Sequence, residues 1–244
     1  QVRPTEPAGQ AAAVAVEEED QAARARTLAE HLYDHRIATM LERAVPDRRT
    51  ASARGERPPA SAPRRTVLIL THNRLGHREG GGVEVYQEAL AGLGDRYDLL
   101  FLFPVFRGET WEMRLEGPGV ALNLPGGAVG LPRLTDPNVE GQFARILFEH
   151  RVDLLHIHHL LHWPLSLPLI ARACGVPVVQ HLHDHYLICE RWLLLDHNGR
   201  FCDVVHRGRE QCDACLAASH NYPAGAKARR DAFLGQVVGA VDAF

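Results

Sequence analysis

The chain has 244 residues, of which 45% are apolar, enough to fill the core of one large domain. Its net charge of −3 gives no basic footprint, so we expect no nucleic-acid polymer as a partner. No apolar run reaches the roughly 18 residues of a membrane span, and nothing resembles an export signal. With only five cysteines, the composition predicts a cytoplasmic protein and not a secreted disulfide scaffold.

Residues 1–65 are predicted to lie outside the domain. Residues 1–45 form a helical extension, in which acidic residues at 17–20 suit a helix start and Pro46 ends the helix. Residues 46–65 are rich in proline and arginine, a composition that cannot bury enough apolar area to fold, so they are predicted to be a linker. Its arginines leave open a peripheral contact with anionic lipid at the cytoplasmic membrane face.

From residue 66 onward, strands and helices alternate, which predicts an α/β domain with a Rossmann-like, doubly wound parallel sheet. A short, wholly apolar run such as Val67–Leu70 is typical of a strand buried on both faces. The predicted strands are residues 67–70, 97–103, 120–124, 152–157 and 176–182, and the predicted helices are one that follows the glycines at 80–82, then residues 139–149 and 164–174.

Residues 187–216 interrupt this alternation and are predicted to be an insertion next to the end of the sheet. Strands at 192–195 and 201–205, joined by Asn198-Gly199, predict a hairpin with a type I′ turn.

Cysteines surround this hairpin. Cys212 and Cys215 form a C-x-x-C pair and follow Cys189 and Cys202, so the four are predicted to bind one structural zinc. Free thiols and a disulfide are the alternatives. Cys174, in an apolar helical stretch, is predicted to lie in the core.

A glycine turn between the first strand and the following helix is the first candidate site. Gly80, Gly81 and Gly82 offer bare backbone N–H groups at a helix start, where an anion is favoured. The spacing is not the G-x-G-x-x-G pattern of dinucleotide-binding proteins. A tight turn without a ligand is the structural alternative.

Histidines form the second candidate site. His156, His158, His159 and His162 follow one strand, and His181, His183, Asp184 and His185 follow the next. Parallel sheets bind ligands at the carboxyl ends of their strands, so a shared site is predicted there. His159, His162, His181 and His185 are expected to be structural.

Two further functions stay open at this stage. Histidine pairs at strand ends can hold a catalytic zinc, which allows a metal-dependent hydrolase. A non-catalytic binding module, with the cysteine insertion as a zinc-stapled contact surface, is the other.

Three motifs, in order and spacing, resemble glycosyltransferase family 4. They are Gly81-Gly82-Val83-Glu84 after the first strand, Asp153-Leu154-Leu155-His156-Ile157-His158, and Val178-Val179-Gln180-His181-Leu182-His183-Asp184. The resemblance covers the chain from about residue 66 and implies the N-terminal, acceptor-side half of a GT-B fold. The C-terminal donor domain of that fold would be absent from this sequence, and residues 1–244 alone would then be inactive.

The resemblance also implies the chemistry. Such enzymes are retaining glycosyltransferases of the hexosyltransferase type, as in polysaccharide biosynthesis. They move a sugar from a nucleotide-sugar donor to a glycan, lipid or small-molecule acceptor and require no cofactor for catalysis. Gly80, Gly81 and Gly82 would contact the donor, with Glu84, His156 and His158 as further donor-binding candidates. His183 and Asp184 would be the catalytic residues, with Asp184 holding the loop.

Overall fold

The computed structural model describes residues 64–74, 82–129, 133–203 and 208–244. The predicted helix within 1–45, the linker up to residue 63 and the glycines Gly80 and Gly81 lie outside the described residues.

A six-stranded sheet in the order β4-β3-β2-β1-β5-β6 forms the centre of the domain. Strands β1, β2, β5 and β6 are parallel, whereas β3 and β4 are antiparallel to their neighbours. The strands are β1 (Arg65–Leu70), β2 (Tyr97–Arg107), β3 (Thr110–Gly117), β4 (Val120–Ala128), β5 (Leu154–Ile157) and β6 (Val178–Gln180).

Five helices accompany the sheet in the described part of the chain. They are α1 (Gly82–Ala91), α2 (Pro137–Glu149), α3 (Leu167–Ala173), α4 (Arg209–His220) and α5 (Ala226–Val238). Within those residues, no helix is both long and apolar enough to cross a membrane.

Alternating side chains of β1 pack into two separate cores, one on each face of the sheet. Val67 and Ile69 join the core that includes Leu90 of α1, whereas Leu68 and Leu70 join the core built with α2 and α5. Because successive side chains of a strand point to opposite faces, a strand apolar at every position needs helices on both sides. The predicted doubly wound α/β class is thereby confirmed.

The sheet is mixed, a feature that the sequence analysis did not include. Strand β3 lay unpredicted between two predicted strands, although Trp111, Met113 and Leu115 alternate with exposed or half-exposed residues. It pairs with β2 and β4 as an antiparallel meander at one edge of the sheet. Short connections allow antiparallel pairing, whereas parallel pairing needs a long crossover.

At the opposite edge, the chain returns to β6. Ala243 pairs in parallel with Val179, the Gln180 N–H donates to the Ala243 carbonyl at 2.9 Å, and the Asp242 N–H donates to the Val178 carbonyl at 2.8 Å. Val241 and Ala243 are partly buried against the two cores, whereas Phe244 is 55% exposed.

In the described part of the insertion, which leaves out residues 204–207, the predicted hairpin is a short turn with one bridge between Leu195 and Phe201. The Gly199 N–H donates to the Asp196 carbonyl, and Gly199 has a positive φ of 75° whereas Asn198 does not. A type I′ turn needs positive φ at both central residues, so that prediction was wrong. The Asp196 side chain caps the loop instead, accepting from the N–H groups of Asn198 and Arg200.

Candidate functional site

The carboxyl ends of β1, β5 and β6 meet at one edge of the sheet and bring the two predicted histidine clusters together. The ladder continues one residue past the strands, since the His158 N–H donates to the Leu70 carbonyl and the His181 N–H to the Ile157 carbonyl, both at 2.8 Å. A pocket opens at this edge, lined by residues that include His158, His159, Gln180, His181, His183, Asp184 and Tyr186.

Two histidines from different strand ends form the centre of this site. His158 Nδ1 and His183 Nε2 lie 3.0 Å apart, so one ring nitrogen donates to the other. Burial lowers the pKa of His183 to about 4 and that of His158 well below its ordinary value, with the neighbouring histidines adding to both shifts. Both rings are therefore neutral at pH 7, and together they can donate and accept hydrogen bonds without carrying charge.

A second pair, His159 and Asp184, holds the loop after β6. The Leu161 N–H donates to His159 Nδ1 at 2.9 Å, so Nε2 carries the ring proton and donates to Asp184 Oδ2 at 2.8 Å. The other carboxylate oxygen accepts from the Tyr186 N–H at 2.8 Å. Burial acts to raise the pKa of Asp184, but the hydrogen bond from His159 outweighs it and keeps that pKa below its ordinary value.

His156 lies one layer deeper than the other candidates. It is buried within β5, and its ring centroid is 4.4 Å from that of His158. Burial, with some contribution from His181 and His183, lowers the pKa of His156 to about 3. It therefore supports His158 from below as a neutral ring.

Helix α1 reaches the site through a tyrosine that the sequence analysis did not single out. The Tyr86 ring lies 4.6 Å from the ring of His181 and 5.0 Å from that of His183, between centroids. Gly82, the first residue of α1, stands one turn before Tyr86, and Glu84 lies between them. The start of α1 therefore lies close to the histidines. The helical spacing after the glycine turn could have indicated that Tyr86 lies near the site.

His72, two residues after the end of β1, was also missed. Its ring centroid is 4.6 Å from that of His159, and burial together with the nearby histidines lowers its pKa to about 3. It obeys the same rule as the predicted clusters, a histidine at a parallel strand end, so the signal was present in the sequence.

The four insertion cysteines lie in the loop after β6, just after the short turn, and in α4. Burial raises the pKa of Cys189, and the neighbouring Glu190, Cys202 and Cys215 add to the shift. All are free thiols. Among the residues that the structure describes, no three His, Cys, Asp or Glu side chains form a group that could hold a metal ion. Cys174, predicted in the core, is exposed just after α3.

Comparison with known proteins identifies the family. A family model described as "Glycosyl transferase 4-like domain" matches residues 80–236, whereas no curated protein matches. A solved structure described as Thermus thermophilus RuvC is 14% identical and covers 58% of this chain and 95% of its own, with a TM-score of 0.20 too low to support any argument. The family match spans more than half of the chain and both histidine clusters. The chain belongs to the family of glycosyl transferase 4-like domains.

Proposed function

We propose that this glycosyltransferase domain serves a retaining enzyme of the hexosyltransferase type, which moves a sugar from a nucleotide-sugar donor to a glycan, lipid or small-molecule acceptor. The observation that carries the proposal is the hydrogen-bonded pair of neutral histidines, His158 and His183, at the carboxyl edge of the sheet. The family match supports the reaction class.

Glycosyl transfer requires this edge of the sheet to accommodate two developing charges. Glycosyl transfer passes through a cationic, oxocarbenium-like sugar, while the nucleotide phosphate leaves as an anion. We assign the glycine turn at Gly80, Gly81 and Gly82 to the phosphate, because α1 begins at Gly82 and a helix start favours negative charge. His183 is assigned to a hydroxyl group of the sugar, which a neutral ring can bind without opposing the cation. The buried His158 is assigned to the donor side through its hydrogen bond to His183.

Asp184 receives a positioning role in this scheme. Both of its oxygens already accept hydrogen bonds, from His159 and from the Tyr186 backbone. It therefore holds the loop on which His183 stands and leaves the contact with the sugar to His183. Glu84 and His156 remain proposed donor-side residues, with His156 acting through the ring of His158.

The decisive experiment uses the protein expressed from its complete gene and a panel of UDP-glucose, UDP-galactose, UDP-N-acetylglucosamine and GDP-mannose. We expect nucleotide release from one of these donors, accelerated by an acceptor, and a product with the anomeric configuration of the donor. Release from none of them would contradict the proposal, and an inverted product would contradict retention. Chelation mild enough to leave any structural zinc in place should leave transfer unchanged, whereas it would abolish hydrolysis by a metal-dependent hydrolase.

We also propose one structural zinc on Cys189, Cys202, Cys212 and Cys215. Cys212 and Cys215 stand three residues apart in α4 and so share a helix face, and Cys189 and Cys202 are near enough to add to the upward pKa shift of Cys212. Binding would draw the four thiolates together into a closed tetrahedral site. Protein purified under reducing conditions without added zinc should contain one zinc per chain. Cys212→Ser should lose it and the exposed Cys174→Ser should keep it, whereas a folded, reduced, metal-free protein would refute the site.

The compartment is proposed on chemical grounds. The chain has only five cysteines in 244 residues, a usage unlike that of a secreted disulfide scaffold. We therefore propose that the protein acts in the cytoplasm, with the arginine-rich linker available for contact with the membrane face.

A further inference from the structure

Arg230, a buried arginine on α5, forms hydrogen bonds with the loop that carries His183 and Asp184. Arg230 is only 4% exposed. Its Nη2 donates to the Tyr186 carbonyl at 2.5 Å and its Nη1 to the Leu187 carbonyl at 3.5 Å. Because α5 is itself fixed in the core through Leu234 and Val237, the guanidinium connects this loop to the rigid part of the domain.

The ring of Tyr186 links Arg230 to the candidate site. The guanidinium carbon of Arg230 lies 5.0 Å from the centroid of the Tyr186 ring, and that ring lies 5.1 Å from the ring of His159. His159 in turn donates to Asp184, which accepts from the Tyr186 N–H. The loop is thus held at two points, by Arg230 on one side and by His159 on the other.

Glu190 completes the arrangement from within the cysteine insertion. Its Oε1 lies 3.3 Å from Arg230 Nε, and the Glu190 side chain is 2% exposed. A buried charge is tolerated when it is paired, so each of these residues depends on the other. Glu190 follows Cys189 directly, and the ion pair therefore joins the insertion to the loop that carries His183.

We propose that Arg230 and Glu190 are positioning residues, which together hold residues 183–190 in the geometry that places His183 in the site. Neither residue is among those that line the pocket. Their effect passes through Tyr186, His159 and Asp184. The expected loss of kcat in variants of this pair rests on the proposed function, whereas the expected loss of order in residues 183–190 does not.

The test must separate positioning from folding. Arg230→Met alone leaves Glu190 as an unpaired buried charge and is expected to damage the fold. The double variant Arg230→Met with Glu190→Met removes both charges, keeps similar volumes and is expected to fold, since buried ion pairs can be replaced by apolar residues. Arg229→Met is the matched control, because Arg229 is the exposed neighbour on the same helix.

Two readouts are compared between the wild-type protein, the double variant and the control. In ¹⁵N-histidine-labelled protein, the Nε2 proton of His159 should exchange with water at least about tenfold faster in the double variant, since its partner Asp184 is no longer held. With the donor that the wild-type protein uses, kcat should fall at least about tenfold while KM changes little, as expected when the catalytic geometry loosens and donor binding does not. Arg229→Met should change neither.

A folded double variant with wild-type exchange at His159 and wild-type kcat would overturn the proposal. A double variant that fails to fold would also overturn it, because the pair would then serve the stability of the whole domain. If the wild-type protein transfers no sugar, the proposed function fails, and the exchange of the His159 proton still decides the positioning role.

Discussion

At the scale of single residues, burial decides what the histidines of this site can do. An imidazole on the surface is partly charged near pH 7, whereas the lowered pKa of His183, about 4, keeps its ring neutral there. A neutral ring pair can exchange donor and acceptor roles through the His158–His183 hydrogen bond. This suits the binding of sugar hydroxyls better than it suits proton transfer at pH 7, because a general acid or base works best with a pKa near the working pH.

The first prediction concerns His183. In the protein expressed from its complete gene, His183→Ala should lower kcat/KM by roughly 10²-fold, the scale of one lost hydrogen bond to the transition state. The variant should stay folded, because His183 is only half-buried and fills no core position. Steady-state kinetics with the preferred donor, run beside circular dichroism and thermal melting, measure both effects.

His185→Ala is the matched control for this experiment. His185 stands two residues further along the same loop, and its side chain is exposed. We expect near wild-type activity from it. Wild-type activity in His183→Ala would mean that the histidine-aspartate segment is structural and that the sugar binds elsewhere.

At the scale of elements, α1 is tied to the end of β1 by one buried amide. Gln87 Nε2 donates to Thr71 Oγ1 at 3.2 Å and to the Asn73 carbonyl at 3.1 Å. The Thr71 carbonyl also accepts from Trp163 Nε1 at 2.8 Å. These bonds fix the start of α1 and the segment after β1 relative to the rest of the sheet edge.

The second prediction tests this tie. Gln87→Met removes the amide while keeping a similar length, and it leaves the Asn73 carbonyl and the Thr71 hydroxyl without that donor. The free energy of unfolding should fall by about 1–3 kcal/mol, the net value of two hydrogen bonds, since the Thr71 hydroxyl still donates to the Asn73 carbonyl at 3.0 Å. Denaturant titration measures the loss. Glu88→Met, an exposed position on the same helix, should change stability by less than about 0.5 kcal/mol, and an equal loss in both variants would contradict the role of Gln87.

Some features of the fold and the candidate site could be predicted from the sequence, and others could not. The histidine clusters could be predicted because they follow apolar strands, and the carboxyl ends of parallel strands share one edge of the sheet. His72 obeys the same rule but stands alone, so the cluster criterion overlooked it. Strand β3 was missed although its buried and more exposed side chains alternate, because the sequence analysis looked for the continuous apolar runs of parallel strands.

Contacts between residues far apart in the chain could not be predicted from the sequence, for a different reason. The bonds of His159 to Asp184 and of Arg230 to the Tyr186 carbonyl span 25 and 44 positions along the chain. No local periodicity encodes such pairs, since they depend on how α5 and the loop after β6 pack together. The type I′ turn failed because the Asp196 side chain, which accepts from two backbone N–H groups, selects a different turn.

At the scale of the whole molecule, the same burial that keeps the histidines neutral makes folding depend on pH. His156 has a pKa of about 3 in the folded protein, against an ordinary value of 6.5. The unfolded chain therefore binds a proton at this residue that the folded protein does not bind between those values. Stability is fully present above about pH 6.5 and falls as the pH drops toward 3. The lowered pKa values of His72 and His183 act in the same direction.

The third prediction isolates the contribution of His156. His156→Gln removes the titrating ring, so the slope of unfolding free energy against pH should flatten between pH 6.5 and 4, by up to about 1.4 kcal/mol per pH unit. Denaturant titrations at several pH values in this range, on the wild-type protein and the variant, give the difference in slope, in which the other titrating groups largely cancel. His197→Gln, at an exposed position in the turn of the insertion, should reproduce the wild-type slope. Equal slopes for wild-type and His156→Gln would show that His156 takes up its proton in the folded protein as readily as in the unfolded chain, and that the neutral layer beneath His158 does not exist.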